Sequence, residues 1–71
     1  MTVDFTHPFV GRAVVYTAWH PGAQPEQGII TSVNVEARIV FVRYGAGTTS
    51  QATSADDRLK FLDGSDVIIW K

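Results

Sequence analysis

The sequence contains no cysteine, no long apolar run and no excess of charge of either sign. Without cysteine, neither a disulfide framework nor a thiolate metal site can stabilise so short a chain. No apolar run approaches the about 18 residues that a membrane-spanning helix needs, and the N-terminus lacks the basic-then-apolar pattern of a secretion signal. We therefore expect a soluble, cytoplasmic protein with no membrane partner.

The basic and acidic residues almost balance. Six Lys and Arg residues against seven Asp and Glu residues give a formal charge of −1. Generic binding to phosphate backbones needs a basic face and a high isoelectric point, so the composition argues against this mode of nucleic-acid binding, while a local basic patch remains open. A chain of 71 residues forms one domain that buries a small fraction of its surface. Self-association is therefore expected to add stability.

The most informative stretch runs from Gly28 to Tyr44. It contains two runs rich in β-branched and aromatic residues, joined by a short polar connection that begins at Asn34, which is typical of an antiparallel hairpin. In the first run, Ile30 and Val33 are predicted to point inward. Gly28 is predicted to lie at a bulge or a strong bend.

The second run of the hairpin alternates between two sets of side chains. One set is Val40, Val42 and Tyr44, and the other is Ile39, Phe41 and Arg43. Because a charged residue ends the second set, that face is expected to be partly exposed to solvent. The first set is therefore predicted to face the core.

The rest of the chain contains further short strands. Propensity predicts strands over Arg12–Trp19, Thr48–Thr53, Lys60–Leu62 and Val67–Trp70. The faces of the first of these are both apolar, so its buried side stays undecided. Two prolines and a glycine exclude His20–Gln27 from a helix or a central strand, so this segment is predicted to be a surface loop.

A short turn is predicted before the closing strand. Ser54 has the position of a helix N-cap, where its side chain accepts from the backbone of Asp57. Only about one turn fits before strand-like residues resume, so the element is predicted to be one turn of 3₁₀ helix.

Four segments of the sequence carry a resemblance to a known family. They are Val15-Tyr16, Gln27-Gly28-Ile29-Ile30-Thr31-Ser32-Val33-Asn34, Val40-Phe41-Val42-Arg43-Tyr44 and Gln51-Ala52-Thr53-Ser54-Ala55-Asp56-Asp57. In these segments, over about residues 11 to 62, the chain resembles a family of short proteins encoded in tailed-phage genomes. The resemblance implies a phage origin and a non-enzymatic small barrel, and it implies no particular activity.

The order of the predicted elements also resembles that of Tudor-like and SH3-like barrels. We therefore expect an all-β fold, a small antiparallel β-barrel of SH3-like or Tudor-like type with about five strands and one 3₁₀ turn. Residues 1–10 are expected to form an N-terminal arm, residues 11–62 the barrel, and residues 63–71 a C-terminal strand that is available as an interface.

Catalytic and metal chemistry find little support in the sequence. His7 and His20 have no partner nearby in sequence, and a metal site needs three or four ligands at suitable spacing. Neighbouring Asp56 and Asp57 are better explained by turn capping than by acid–base chemistry. We expect no metal, no cofactor and no enzyme.

One enzyme of similar size leaves an alternative open. The chain resembles the plasmid-borne type II dihydrofolate reductase in size and architecture, an enzyme that works as a tetramer around a central pore. The Val-Gln-Ile-Tyr pore motif of that enzyme has no match here, and the nearest segment is Ser50-Gln51-Ala52-Thr53. This alternative ranks last.

Aromatic, arginine and polar side chains together predict a ligand site. The candidate binding residues are Tyr16, Trp19, Phe41, Arg43, Gln51 and Thr53. Stacking and forked hydrogen bonds would let them hold a peptide or a planar anionic molecule. The alternative is that the aromatics build the core and the arginines lie on the surface.

The C-terminal run is the most hydrophobic part of the chain. Val67, Ile68, Ile69 and Trp70 are predicted to form an oligomer interface, because a strand in so small a core leaves one apolar pair outward. The alternative is that this strand pairs with the N-terminal arm and is buried on both faces.

These observations predict a non-enzymatic binding module. The leading hypothesis is a homo-oligomeric phage accessory protein that engages a host component, either a host protein or a small anionic ligand, in the host cytoplasm. A second hypothesis is a sponge that sequesters an anionic nucleotide immune signal and so counters host defence.

Overall fold

The computed structural model describes residues 3–45, 47 and 49–69. In these ranges the chain forms five antiparallel strands in one open sheet, with the order β4-β3-β2-β1-β5. The strands are β1 (Ala13–Tyr16), β2 (Glu26–Asn34), β3 (Ile39–Tyr44), β4 (Ser50–Ser54) and β5 (Leu59–Phe61). The all-β prediction is confirmed. No described segment is a helix, and so none is a helix that could cross a bilayer.

The predicted hairpin is the centre of the sheet. β2 and β3 pair from Gly28, opposite Tyr44, to Asn34, opposite Ile39. The loop between them closes with a left-handed residue, Arg38, whose φ is 55°. Because a left-handed residue sharpens the reversal, four loop residues are enough to return the chain along β2.

The bulge lies at Thr31, so its prediction at Gly28 is wrong. Ile30 pairs with Val42 and Ser32 with Phe41, which leaves Thr31 as the extra residue. The Thr31 hydroxyl donates to the Phe41 carbonyl oxygen at 3.1 Å. This bond replaces part of the ladder that the bulge interrupts.

Gly28 has a different role, which is close packing. It pairs regularly with Val14 on β1 and with Tyr44 on β3. A Cβ atom at this position would lie 2.5 Å from Val42 Cγ1 and 2.8 Å from the Arg43 carbonyl oxygen. Gly28 is therefore needed because neighbouring atoms fill the place of a side chain.

The core lies on one side of the sheet. Its buried side chains are Val14, Ile30, Val33, Val40, Val42, Ala55, Leu59, Phe61, Val67 and Ile69. The inward predictions for Ile30, Val33, Val40 and Val42 are confirmed. Tyr44 packs against this core but is only partly buried. In the first strand, the buried face is the one that carries Val14.

The N-terminal arm is tied to the edge of β2 that the short strand β1 leaves uncovered. Asp4 and Val33 exchange two backbone hydrogen bonds, of 2.6 and 2.9 Å. Further along the arm, the Gly11 amide donates to the Ile30 carbonyl oxygen at 2.8 Å. Phe9 then packs edge-on against Phe61, with ring centroids 5.0 Å apart.

The first strand is shorter than predicted. β1 ends at Tyr16, whose register partner Glu26 is the first residue of β2. Beyond this pair β2 offers no further ladder, so Thr17–Trp19 leave the sheet, and Trp19 is 69% exposed. β4 and β5 also differ from their predicted bounds, and Thr48 lies outside the described residues.

The segment 67–69 is not a strand, contrary to the prediction for Val67–Trp70. After β5 the chain reverses at Gly64, with a φ of 87°, and Asp66 makes an isolated bridge with Lys60. Val67 and Ile69 then turn into the core, while the described residues offer them no neighbouring strand to pair with. Trp70 lies outside the described residues.

The turn before β5 is simpler than the 3₁₀ helix that was predicted. One hydrogen bond of 3.1 Å, from the Leu59 amide to the Asp56 carbonyl oxygen, closes a single turn. The N-cap prediction for Ser54 is wrong, because Ser54 is the last residue of β4. Asp56 takes the capping role, since its Oδ1 accepts from the Arg58 amide at 3.0 Å.

Candidate binding site at one end of the sheet

A cavity of about 410 Å³ opens at the end of the sheet where β1 finishes and β2 begins. The side chains that matter for its chemistry are Tyr16, Glu26, Tyr44, Gln51, Thr53 and Arg58. Their meeting follows from the register, because Tyr16 pairs with Glu26 on one side and with Leu59, next to Arg58, on the other. Such a volume is enough for one side chain or a small ligand.

Two tyrosines form the aromatic part of the cavity. The rings of Tyr16 and Tyr44 lie 6.4 Å apart at an interplanar angle of 68°. The Tyr44 hydroxyl is 3.0 Å from the Thr53 hydroxyl, which fixes the orientation of the ring. Partial burial raises the pKa of Tyr44 and the negative charge of Glu26 adds to this rise, whereas the Thr53 hydrogen bond opposes it. Glu26 therefore acts electrostatically on the same space as the tyrosines.

Arg58 in the cavity wall is already engaged by a carboxylate. Its Nε lies 3.1 Å from Asp56 Oδ1 and its Nη2 lies 2.6 Å from Asp56 Oδ2, a forked ion pair. The hydrogen bonds from Arg58 hold the pKa of Asp56 below its ordinary value. The guanidinium also stacks over the ring of Trp19, 4.2 Å from its centroid. Asp56 thus compensates the positive charge that Arg58 brings to the wall.

The surroundings of the cavity favour a cation. Glu26 lies in the cavity, and Asp56 and Asp57 interact with the charge of Arg58. These carboxylates outweigh the single guanidinium. Aromatic faces beside a carboxylate attract ammonium and guanidinium groups, because both contribute negative potential.

A second cavity, of about 550 Å³, is lined in part by the Ser54–Asp57 segment. Its wall includes Asp56, Asp57 and Asp66 together with Arg38, and it contains no aromatic ring. It therefore lacks the stacking surfaces of the first cavity, but it extends the acidic surroundings along the chain. We take the smaller, aromatic cavity as the candidate site.

The predicted binding residues separate into two groups. Tyr16, Gln51 and Thr53 line the cavity, and Trp19 adjoins it through Arg58. Phe41 and Arg43 do not line this cavity, because alternation along β3 turns them to the opposite face from Val42 and Tyr44. Arg43 lines a separate cavity, together with Gln27 and Ile29.

Glu26 and Arg58 line the cavity but are not among the predicted binding residues. Tyr44, which also lines it, is predicted to face the core. The forked pair of Arg58 with Asp56, two residues earlier, is a local pattern that a sequence reader can find. Glu26 becomes visible only when the register of β1 against β2 is known.

The histidines make local contacts. His7 Nδ1 accepts from the Phe9 amide at 3.1 Å, and His20 Nδ1 lies 3.2 Å from the Pro21 carbonyl oxygen. Within residues 3–45, 47 and 49–69, no three histidine, cysteine, aspartate or glutamate side chains gather as metal ligands.

The predicted interface at the C-terminus is largely occupied by the chain itself. Val67 and Ile69 are 1% and 7% exposed because they complete the core. Ile68, at 42% exposure, is on the surface. Of the predicted set, Ile68 is therefore the described residue that can contact a second copy.

Comparisons with protein-family models, with curated proteins and with solved structures find no match.

Proposed function

We propose that this chain is a non-enzymatic binding module of SH3-like or Tudor-like type, whose cavity accepts a basic side chain of a protein partner. The observation that carries the proposal is that Tyr16, Tyr44 and Glu26 line one cavity, with the two rings 6.4 Å apart. The guanidinium in the same wall, Arg58, is compensated by Asp56. The cavity therefore combines aromatic surface with unbalanced negative charge.

The expected contribution of this cavity is modest. One cation over an aromatic ring contributes about 0.5–1 kcal/mol at an exposed site, and about 2 kcal/mol when it is desolvated. The two tyrosines are half-buried, so a bound side chain would lose part of its hydration. A lysine, a methylated lysine or an arginine meets these requirements. Such a cavity provides selectivity within a larger contact.

The resemblance to short tailed-phage proteins supports the biological part of the proposal. On that basis we propose a phage accessory protein that engages a host protein in the host cytoplasm. Its small size and the exposed Ile68 support self-association. The nucleotide sponge stays a hypothesis, and Glu26, Asp56 and Asp57 oppose an anionic ligand. The reductase hypothesis gains no supporting observation from the cavity.

NMR titration with two classes of ligand, at concentrations well above millimolar, tests the proposal, because the expected binding of a single side chain is weak. The cationic probes are the blocked amino acids N-acetyl-lysine methylamide, its trimethylated form and N-acetyl-arginine methylamide, and the anionic probes are nucleotides. We expect the cationic probes to shift the signals of Tyr16 and Tyr44, and we expect these shifts to be lost in Glu26→Gln. Glu36→Gln, the same chemical change in the exposed hairpin loop, is the matched control.

The outcome that contradicts the proposal is equally specific. Nucleotide binding that survives or strengthens in Glu26→Gln, together with silent cationic probes, would support the sponge instead. Mass spectrometry of gently purified protein adds an independent measurement, because a sponge would retain its nucleotide.

A further inference from the structure

Within the described residues, one edge of the sheet is covered by the chain and the other is open. The outer side of β5 is covered, since Lys60 bridges to Asp66 and the Phe61 amide donates to the Ser65 carbonyl oxygen at 2.9 Å. β4 is the other edge, and within the described residues no strand pairs with its outer side. Its sequence, Ser-Gln-Ala-Thr-Ser, carries no charge, no proline and no bulge. These are the features by which natural edges usually prevent pairing with another chain.

The phase of the β3–β4 ladder shows which groups of β4 face outward. The Ala55 amide donates to the Arg38 carbonyl oxygen at 2.9 Å. Because bonded pairs alternate in an antiparallel ladder, Thr53 and Gln51 direct their backbone groups to β3. Ser50, Ala52 and Ser54 therefore direct theirs to the open side.

One outward group is used within the chain. The Ser54 carbonyl oxygen accepts from the Asp56 amide at 3.0 Å. The other outward groups face the open side of β4. They are the amides of Ser50, Ala52 and Ser54 and the carbonyl oxygens of Ser50 and Ala52. This row is long enough to bind a short extended segment.

The open edge is also a wall of the candidate cavity. Gln51 and Thr53 line the cavity from β4, and Tyr16 and Arg58 line it from the opposite side. A strand placed against β4 would turn every second side chain to this cavity. Its other side chains would lie on the outer face, where Ala52 is paired with Phe41.

We propose that an extended segment of a partner protein adds to β4 as a further strand and places a basic side chain in the cavity lined by Tyr16 and Tyr44. The choice of a basic side chain rests on the proposed function, whereas the edge itself does not. Apolar residues on either side of the basic one would cover Ala52 and Phe41. The expected sequence of the segment is therefore a basic residue with an apolar residue on each side.

Charge complementarity favours this partner over a second copy of the chain. The carboxylate of Glu26 lies in the cavity, and Asp56 and Asp57 follow the Ser54 end of the edge. A second copy pairing through β4 would bring another uncharged Ser-Gln-Ala-Thr-Ser strand and would leave those acids unmatched. In strand addition, the main-chain bonds supply affinity and the pocket supplies specificity.

The test titrates a blocked peptide, Thr-Val-Lys-Val-Thr, into the isotope-labelled protein and follows the backbone amides by NMR. We expect amide shifts that alternate along β4, large at Ala52 and Ser54 and small at Gln51 and Thr53. Ala52→Pro removes an outward amide at an edge position, where proline is tolerated. We expect this variant to lose about tenfold in affinity for the peptide, and Ala52→Val, which keeps the amide, is the control.

A modified peptide gives a second test in the unmodified protein, which does not depend on whether Ala52→Pro folds. Methylation of the peptide nitrogens that face β4 should abolish binding, whereas methylation of the alternate nitrogens should not. Equal sensitivity to both sets, or no binding of the lysine peptide at millimolar concentration, would overturn the strand addition. Concentration-dependent shifts of the β4 amides without peptide would assign the edge to a second copy and overturn the choice of partner.

The design also separates the two proposals. If N-acetyl-lysine methylamide binds but the β4 amides do not respond to the peptide, the cavity proposal stands and the strand addition fails. If a peptide with Glu in place of Lys binds equally well with alternating shifts, the strand addition stands and the basic specificity fails.

Discussion

Arg58 and Trp19 are stacked, with the guanidinium carbon 4.2 Å from the centroid of the indole ring. Trp19 is 69% exposed, so this contact forms on the surface beside the candidate cavity. The same guanidinium is forked to Asp56, which holds it in place over the ring. Trp19 therefore reports on the state of the cavity wall.

Replacement of Arg58 is expected to change the fluorescence of Trp19 more than the stability. In a Trp70→Phe background, Arg58→Ala should shift the emission to the red because the ring loses its cover. The ion pair lies at the surface, where such pairs contribute little to the free energy of unfolding, so the fold should persist. Arg43→Ala, on the opposite face, should leave the emission unchanged. An unshifted spectrum in Arg58→Ala would contradict the stack.

Gly28→Ala is expected to destabilise the protein strongly. The new Cβ would meet Val42 Cγ1 at 2.5 Å and the Arg43 carbonyl oxygen at 2.8 Å, and the backbone oxygen has little freedom to move. Overpacking of this kind costs about 1–3 kcal/mol in the free energy of unfolding. Urea denaturation with linear extrapolation measures it.

Gly64→Ala is the comparison for that experiment. Gly64 has a φ of 87° and no atom near the position of a Cβ. Any loss of stability in Gly64→Ala therefore reflects backbone strain alone. A cost of about 1 kcal/mol is expected there. A Gly28→Ala protein as stable as the original would show that β2 and β3 are not packed as described.

Truncation of the neighbours Val67 and Ile68 should affect two different properties, stability for Val67 and self-association for Ile68. Val67→Ala removes buried methyl groups and is expected to cost about 2 kcal/mol in the free energy of unfolding. Ile68→Ala should leave stability nearly unchanged and should weaken self-association. Light scattering measures the second effect. A mass near 7.8 kDa at high concentration in the unmodified protein would refute the oligomer.

Acid should destabilise the protein through carboxylates that are hydrogen-bonded in the fold. Hydrogen bonds from Arg58, Thr6 and Ser65 hold the pKa values of Asp56, Asp4 and Asp63, respectively, below their ordinary values. Each of these carboxylates then binds protons less readily when folded than when unfolded. Their contribution is present above the ordinary pKa of about 4 and is lost as the pH falls through the lower folded value.

The measurement is the urea midpoint between neutral pH and pH values below about 4. Asp56→Asn should reduce the dependence on pH, because it removes one of the responsible groups. Asp57→Asn changes the exposed neighbour and is the matched control. A dependence that is identical in Asp56→Asn and the unmodified protein would show that the Arg58 pair contributes nothing to stability.

The hairpin was predictable because its information is local. Alternation along Val40, Val42 and Tyr44 identifies the core face without knowledge of any other strand. The same alternation excludes Phe41 and Arg43 from a site that contains Tyr44. Their inclusion in the predicted site shows that residue type alone outweighed the period of the strand.

The cavity was less predictable because it depends on contacts between distant segments. Tyr16 pairs with Glu26 on β2 and with Leu59 on β5. Neither register can be inferred from a local sequence pattern. The bulge at Thr31 was missed for a related reason. Glycine suggested a bend, whereas Gly28 serves close packing against Val42.

The pairing of Asp4 with Val33 has a consequence for how the chain assembles during synthesis. The arm is synthesised before β2, and the backbone that receives it is complete only after Val33 has been added. Strands β2, β3 and β4 join neighbours in sequence, whereas the arm must close a long loop. The arm therefore stays without its backbone partner until β2 has been synthesised.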